Sequence, residues 1–211
     1  MTELKILSDP ICPWCYIGKR RLEKAINNHK NLEFKQTWRP FQLNPGMPPD
    51  GMDRQEYLIS KFGSADAAKT IYDNIYDEGL LEGINFNFDS IQTTPNSFNS
   101  HRLLALAYKQ GIQENVLDSL FESYFLNGED IGDPNILLDI AIKHQIDAED
   151  FKTYLSDQEN IEPLANEELE ARKMGINSVP TFIVNKQIVI NVAQTSENFD
   201  IIFKKLTNNI N

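Results

Sequence analysis

The chain has 211 residues, 41% hydrophobic and 24% charged, which suits one ordinary globular domain or one domain carrying a large insertion. That much apolar material excludes a disordered tail and a disulfide-stapled miniprotein. A net charge of −11, from 31 acidic against 20 basic residues, argues against nucleic acid and anionic membrane surfaces as partners.

The start, Met1-Thr2-Glu3-Leu4-Lys5, leads directly into strand-like sequence with no basic leader or apolar core, so a cytoplasmic location is expected. No apolar run approaches the roughly 20 residues a bilayer span needs. Leu4, Ile6 and Ser8 alternate with Lys5, Leu7 and Asp9, a short strand ended by Asp9-Pro10. Cys12 follows, with Pro13 where a first helical residue tolerates proline. Ile17, Leu22, Ala25, Ile26 and His29 then fall on one helical stripe. Leu32, Phe34, Gln36 and Trp38 alternate as a second strand that stops at Pro40. Strand, helix and strand make a βαβ unit with Cys12 and Cys15 where the first strand feeds the helix.

After the turn-rich Asn44–Gly51 connector, the segment from about Asp53 to Gly175 reads as helix throughout, with no convincing strand. Asp53-Arg54-Gln55-Glu56 has capping-box form, and Ala68, Ile71, Tyr72 and Ile75 make a stripe that ends near Gly79. Thr94-Pro95 and Asp133-Pro134 each read as an N-cap before a first-turn proline. Between them Val116, Leu117, Leu120, Phe121, Tyr124 and Phe125 form an apolar face. A charge-rich helix is expected from Glu159 to Met174, stopped by Gly175. Strand character returns at Val179–Val184, turns at Asn185-Lys186-Gln187 and resumes at Ile188–Ile190. A last helix begins near Thr195 or Ser196. Strands at both termini around a helical middle imply an α/β fold with a large all-helical insertion. The expected division is 1–50 with 176–211 as one discontinuous domain and 51–175 as the insertion, including its connecting helix.

Cys12 and Cys15 are the only cysteines. A structural disulfide across two residues would remove little unfolded-state entropy, and the cytosol keeps ordinary thiols reduced. Zinc needs more ligands, and His29, His101 and His144 are scattered without short ligand spacing, so no metal is expected. What remains is a redox-active dithiol. A helix N-terminus offers unpaired N–H groups and partial positive charge to Cys12, favouring the thiolate that attacks disulfides. Cys15, one turn further on and more deeply placed, then resolves the mixed disulfide. Pro13 and Trp14 bring no charge, and Trp14 reads as an exposed aromatic that contacts substrate.

Four segments carry a resemblance: Cys12-Pro13-Trp14-Cys15-Tyr16-Ile17-Gly18, Phe41-Gln42-Leu43-Asn44-Pro45, Asn99-Ser100-His101-Arg102-Leu103 and Val179-Pro180-Thr181-Phe182. In that order the chain resembles the DsbA-type thiol–disulfide oxidoreductases, especially the cytosolic FrnE-like branch related to 2-hydroxychromene-2-carboxylate isomerases. The resemblance implies a thioredoxin fold with a helical insertion, Cys12 as nucleophile and Cys15 as resolving thiol. It also implies a cis-proline at Pro180 facing the sulfurs, with Val179 touching them and backbone groups left to pair with an extended substrate. Asn191-Val192-Ala193-Gln194 stands where that family often has Gly-Ala-Gln.

The function expected is disulfide exchange on protein or small-molecule thiol and disulfide substrates, with no resident cofactor. A low-molecular-weight thiol stays open as co-substrate, and a homodimer as assembly. The competing readings are a thiol-dependent isomerase or transferase of the chromene-carboxylate type, and a non-catalytic chaperone or adaptor. His101 and Arg102 read as a helix-packing histidine and a surface arginine, with a role in the substrate groove as the alternative. Trp38 reads as core, and Phe41 and Met47 as packing. Glu33 and Lys35 face outward, and no buried base is assigned.

Overall fold

The computed structural model describes residues 1–208, so the last three residues of the expected 176–211 segment lie outside it. Strand β1 (Thr2–Ser8) pairs in parallel with β2 (Phe34–Pro40), placing Ile6 opposite Trp38. Helix α1 (Pro13–Asn28) makes the crossover between them. The same β1 pairs antiparallel with β5 (Thr181–Val184), Ile6 now opposite Phe182, and β5 turns back into β6 (Ile188–Asn191). The sheet order is therefore β2-β1-β5-β6, with the first strand central and the last two supplied by the far end of the chain. Asn185 and Lys186 take positive φ to close the β5–β6 turn. Helix α9 (Ser196–Asn208) follows and packs against α1.

The middle of the chain forms α2 (Arg54–Phe62), α3 (Ala65–Leu81), α4 (Phe98–Lys109), α5 (Gln113–Phe125), α6 (Pro134–Lys143), α7 (Ala148–Ser156) and α8 (Ile161–Lys173). Asp53 caps α2, accepting from the Gln55 and Glu56 N–H groups, and Asp133 caps α6 ahead of Pro134. Two expectations fail. Met52–Asp53 (β3) and Thr93–Thr94 (β4) form a two-residue antiparallel ladder, too short to leave an alternation in sequence. Thr94 therefore belongs to a strand and not to a helix cap: α4 starts later, where the Asn96 side chain accepts from the Phe98 N–H at 3.0 Å. The charge-rich helix starts at Ile161, after a 3-10 turn at Gln158–Asn160 capped by Asp157. Gly175, at φ 85°, ends it in the left-handed conformation its lack of a Cβ allows.

A continuous buried cluster joins sheet and helices. Tyr16 of α1 stacks on Phe121 of α5 at 4.8 Å, and Phe86, Phe88 and Phe125 extend the ring cluster. Two cations of α1 add specificity to this apolar contact. The Lys19 ammonium, 1% exposed, pairs with Glu23 and with Asp118 of α5 at 2.8 Å. Burial opposes its charge, but Asp118 and Glu23 outweigh burial and hold Lys19 above the ordinary lysine range. Arg21 reaches Glu78 of α3 and Glu82 at its C-cap. Among the described residues, no helix is long and apolar enough to cross a membrane.

Burial also opposes ionisation of Glu82, yet Lys24 and Arg21 prevail and hold its carboxyl below the usual range. A depressed carboxyl stabilises the fold above its unfolded-state pKa of about 4.3, and that contribution is lost as pH falls through the lower folded value. Glu82→Gln should therefore cost stability at neutral pH and little in strong acid, as read by urea denaturation at both. Asp118→Asn, which leaves Lys19 one carboxylate short, is expected to lower unfolding free energy by about 2 kcal/mol.

Candidate active site

β1 ends by delivering the backbone into a tight turn. The Cys12 N–H donates to the Asp9 carbonyl at 2.9 Å, so Cys12 becomes the N-cap of α1, with extended backbone at φ −96°, ψ 112°. Pro13 occupies the first turn. The Cys15 N–H donates to the Cys12 carbonyl at 3.0 Å. No side chain caps this helix and its first turn holds no acidic residue, so the positive end of its dipole stands beside Cys12 without a competing charge of its own.

Both cysteines are free thiols, and both are buried: Cys12 is 3% exposed and Cys15 fully covered. The two thiols, three residues apart at the same end of α1, are close enough to influence each other's ionisation. Burial, and then the neighbouring Cys12, push the Cys15 thiol well above the ordinary range, against weaker opposition from the Ser8 hydroxyl and the Asp9 N–H. Across the gap, the Cys12 sulfur lies 3.7 Å from the Val179 carbonyl oxygen, and the Val179-Pro180 peptide is cis. Trp14 is 36% exposed between the buried cysteines. The structure thus gathers Cys12, Pro13, Trp14, Cys15, Val179 and Pro180 at one end of α1.

Sequence reasoning missed Asp9, which it read only as a strand end. Its carboxylate is fully buried and receives the Leu43 N–H at 2.6 Å and the Ile11 N–H at 3.3 Å. The usable signal was chemical: an aspartate opening a tight turn is placed to accept from the N–H two residues on. His101 packs inside, as expected, with Nε2 3.6 Å from Asp9 Oδ1. Arg102 does not lie on the surface. It is 4% exposed, because the α7–α8 connection folds over α4 and offers it the Tyr154 and Asp157 carbonyls, both at 2.9 Å. Asn160 and Asn99 complete its acceptors. Trp38, Phe41 and Met47 are buried, and Glu33 and Lys35 are exposed. Phe41 lies under the Arg172 guanidinium at 4.1 Å, and Arg172 Nη2 donates to the Gln42 carbonyl at 2.6 Å.

Two positions decide how closely α1 approaches β5. A Cβ on Gly18 would stand 3.0 Å from Pro180 Cγ and 3.2 Å from Phe182 Cζ. Only glycine allows this approach without displacing its neighbours. The reverse holds at Val192, which has φ 62° where the resembling family often has glycine. A β-branched residue in that region is strained. Its neighbour Ala193 is fixed by Arg21 Nη1, which donates to the Ala193 carbonyl at 2.8 Å.

Gly18→Ala is expected to lower stability by about 1–3 kcal/mol through overpacking against Pro180 and Phe182. Val192→Gly should raise it by about 1 kcal/mol by relieving the left-handed valine. Chemical denaturation of both variants beside the parent chain checks the pair.

Comparison with known proteins places this arrangement. Residues 3–202 match the family described as DSBA-like thioredoxin domain. A probable DsbA oxidoreductase of Streptomyces coelicolor is similar in structure, with a TM-score of 0.87 and 28% identity, covering 97% of this chain and 89% of that one. An uncharacterized Bacillus subtilis protein, YwbO, is 27% identical over 195 residues, 88% of each chain. The cytosolic disulfide reductase DsbM of Pseudomonas aeruginosa, at 16% identity, shares the fold, with a TM-score of 0.70 and coverage of 98% of both chains.

Proposed function

We propose that this chain, which belongs to the DSBA-like thioredoxin domain family and has its thioredoxin fold with a largely helical insertion, exchanges disulfides through Cys12 and Cys15. The observation that carries the reading is the pair of free thiols at a helix N-terminus that no side chain caps, with the Cys12 sulfur 3.7 Å from the Val179 carbonyl oxygen. A metal ligand set or a lone buried cysteine would not need this arrangement. Residues 1–50 and 176–211 are taken as the thioredoxin-like unit and 51–175 as the insertion.

The roles follow from depth and charge. Cys12, at the helix end, attacks one sulfur of a client disulfide, forming a mixed disulfide and releasing the other client sulfur as thiolate. The positive end of the α1 dipole stands beside the Cys12 sulfur as it attacks and as it leaves. Cys15 then loses its proton and attacks the Cys12 sulfur. The Cys12–Cys15 disulfide forms, the second client thiolate leaves, and two electrons have passed from the dithiol to the client. The reverse sequence oxidises a client dithiol. Trp14 provides an apolar rim, Pro13 holds the turn between the sulfurs, and the Val179-Pro180 backbone aligns an extended substrate beside Cys12. Protein and small-molecule disulfides are the substrate class, and the reaction needs no resident cofactor.

Turnover of insulin disulfides should vanish in Cys12→Ser, and equal turnover by variant and parent would overturn the reading. Cys15→Ser should instead trap client adducts visible on non-reducing gels. Because burial, the larger cause and one that persists when Cys12 is held in a mixed disulfide, raises the Cys15 thiol, only a small part of it is thiolate at neutral pH. Resolution of a preformed Cys12 mixed disulfide should therefore accelerate steadily from about pH 7 to about pH 10 in stopped-flow measurements.

A further inference from the structure

Three buried cations in this protein have their acceptors. Lys19 and Arg21 have carboxylates, and Arg102 has four oxygen partners. Arg54 differs. It is 7% exposed, and among the described residues no carboxylate stands within ion-pair distance of it. Its Nη1 donates to Thr94 Oγ1 at 3.2 Å, and its guanidinium sits over the Tyr72 ring at 4.8 Å and near the Tyr57 ring at 5.8 Å. The hydroxyl of Tyr124, fully buried and without a hydrogen-bond partner among the described residues, belongs to the same cluster. Rings and neutral hydroxyls offset only part of the cost of taking a guanidinium out of water, and most of its five N–H donors are left for something else.

That something has a place to sit. Arg54 and Tyr72 form part of the wall of a cavity of about 520 Å³ between α2, α3 and the segment 86–92. Leu58, Ile59, Phe88 and Ile91 give the same cavity an apolar lining. Its volume is in the range of small-molecule sites, and it contains none of the residues gathered around the dithiol. Asp53, Asp66, Asp73 and Asp89 also border it; Asp53 is engaged by the Gln55 and Glu56 N–H groups as the α2 cap, and Asp73 pairs with Lys69 at 2.7 Å. A multiply charged anion would meet several times the repulsion from these carboxylates that a single negative charge on Arg54 would meet.

We propose that this cavity binds a small monocarboxylate with an apolar tail. The carboxylate takes the guanidinium fork of Arg54, which is built for two parallel N–H donations, and the tail lies along Leu58, Ile59 and Phe88. The site stands apart from disulfide exchange, so its test reads binding alone.

Hexanoate serves as the probe, with hexanamide as its uncharged match and inorganic phosphate as the multiply charged control, each titrated into the full chain by NMR and calorimetry. The expected result is saturable hexanoate binding, at least about tenfold tighter than hexanamide, the size of one charge-assisted contact. Shifted resonances should map to α2, α3 and residues 86–92. Arg54→Met, which keeps the volume and removes the charge, should weaken hexanoate at least about tenfold while leaving the fold intact by circular dichroism. Arg54→Lys, which keeps a point charge without the fork, should fall between. Should Arg54→Met fail to fold, the hexanoate-to-hexanamide ratio in the parent chain decides alone. The proposal is overturned if the parent chain shows no saturable hexanoate binding, if hexanamide binds equally, if phosphate binds more tightly, or if folded Arg54→Met binds hexanoate like the parent.

Discussion

Much of this structure hangs on one carboxylate sealed away from water. Asp9 leaves the central strand, and its side chain and backbone together fasten three pieces of chain: the turn at Ile11, the loop at Leu43 and, through its carbonyl, the N–H of Cys12. A buried carboxylate is costly unless its oxygens are occupied, so those N–H groups hold their places by necessity. The consequence is positional. The sulfur of Cys12 stands where the turn puts it, and the turn stands where Asp9 fixes it. His101 of α4 lies beside the same carboxylate, its Nε2 3.6 Å from Oδ1.

Around that point the chain regulates a second distance, the gap between α1 and the start of β5. Gly18 lets Pro180 come close, and the Arg21 guanidinium draws the Ala193 carbonyl toward α1 from the other flank. Arg21 is also held by Glu78 and Glu82, so the helical insertion braces the very helix that carries both cysteines. The strained backbone at Val192 fits this picture: the turn keeps a left-handed conformation that valine resists, because the contacts on either side of it set the path.

The alternating strands, the Cys12-to-Gly18 helix start, the Asp53 and Asp133 caps and the stop at Gly175 were legible because each rests on local chemistry. So was the contrast between exposed Trp14 and buried Trp38. The β3–β4 ladder was not, since two residues carry no period. Arg102 was misjudged for a related reason: its acceptors are backbone carbonyls of Tyr154 and Asp157, more than fifty positions away, and no spacing announces a carbonyl. Asp9 was visible as a letter and invisible as a peg, because Leu43, its strongest partner, meets it only through the fold.

The helical insertion leaves and re-enters the sheet at neighbouring places, and this makes it more than a passenger. The outgoing crossing runs through Phe41, Gln42 and Leu43, and the returning one through α8 to Val179. Arg172 joins them, with its guanidinium over Phe41 and a donation to the Gln42 carbonyl, while Glu168 holds Arg172 in turn. Leu43 is bound to Asp9, and Asp9 to Cys12; Val179, at the end of the returning crossing, faces Cys12 across 3.7 Å. A shift of the insertion at either crossing therefore reaches the sulfur from both sides. Packing of the half-buried Arg172 guanidinium against an aromatic face makes such a shift costly, so the gap between Cys12 and Val179 is held in part by the packing of the insertion.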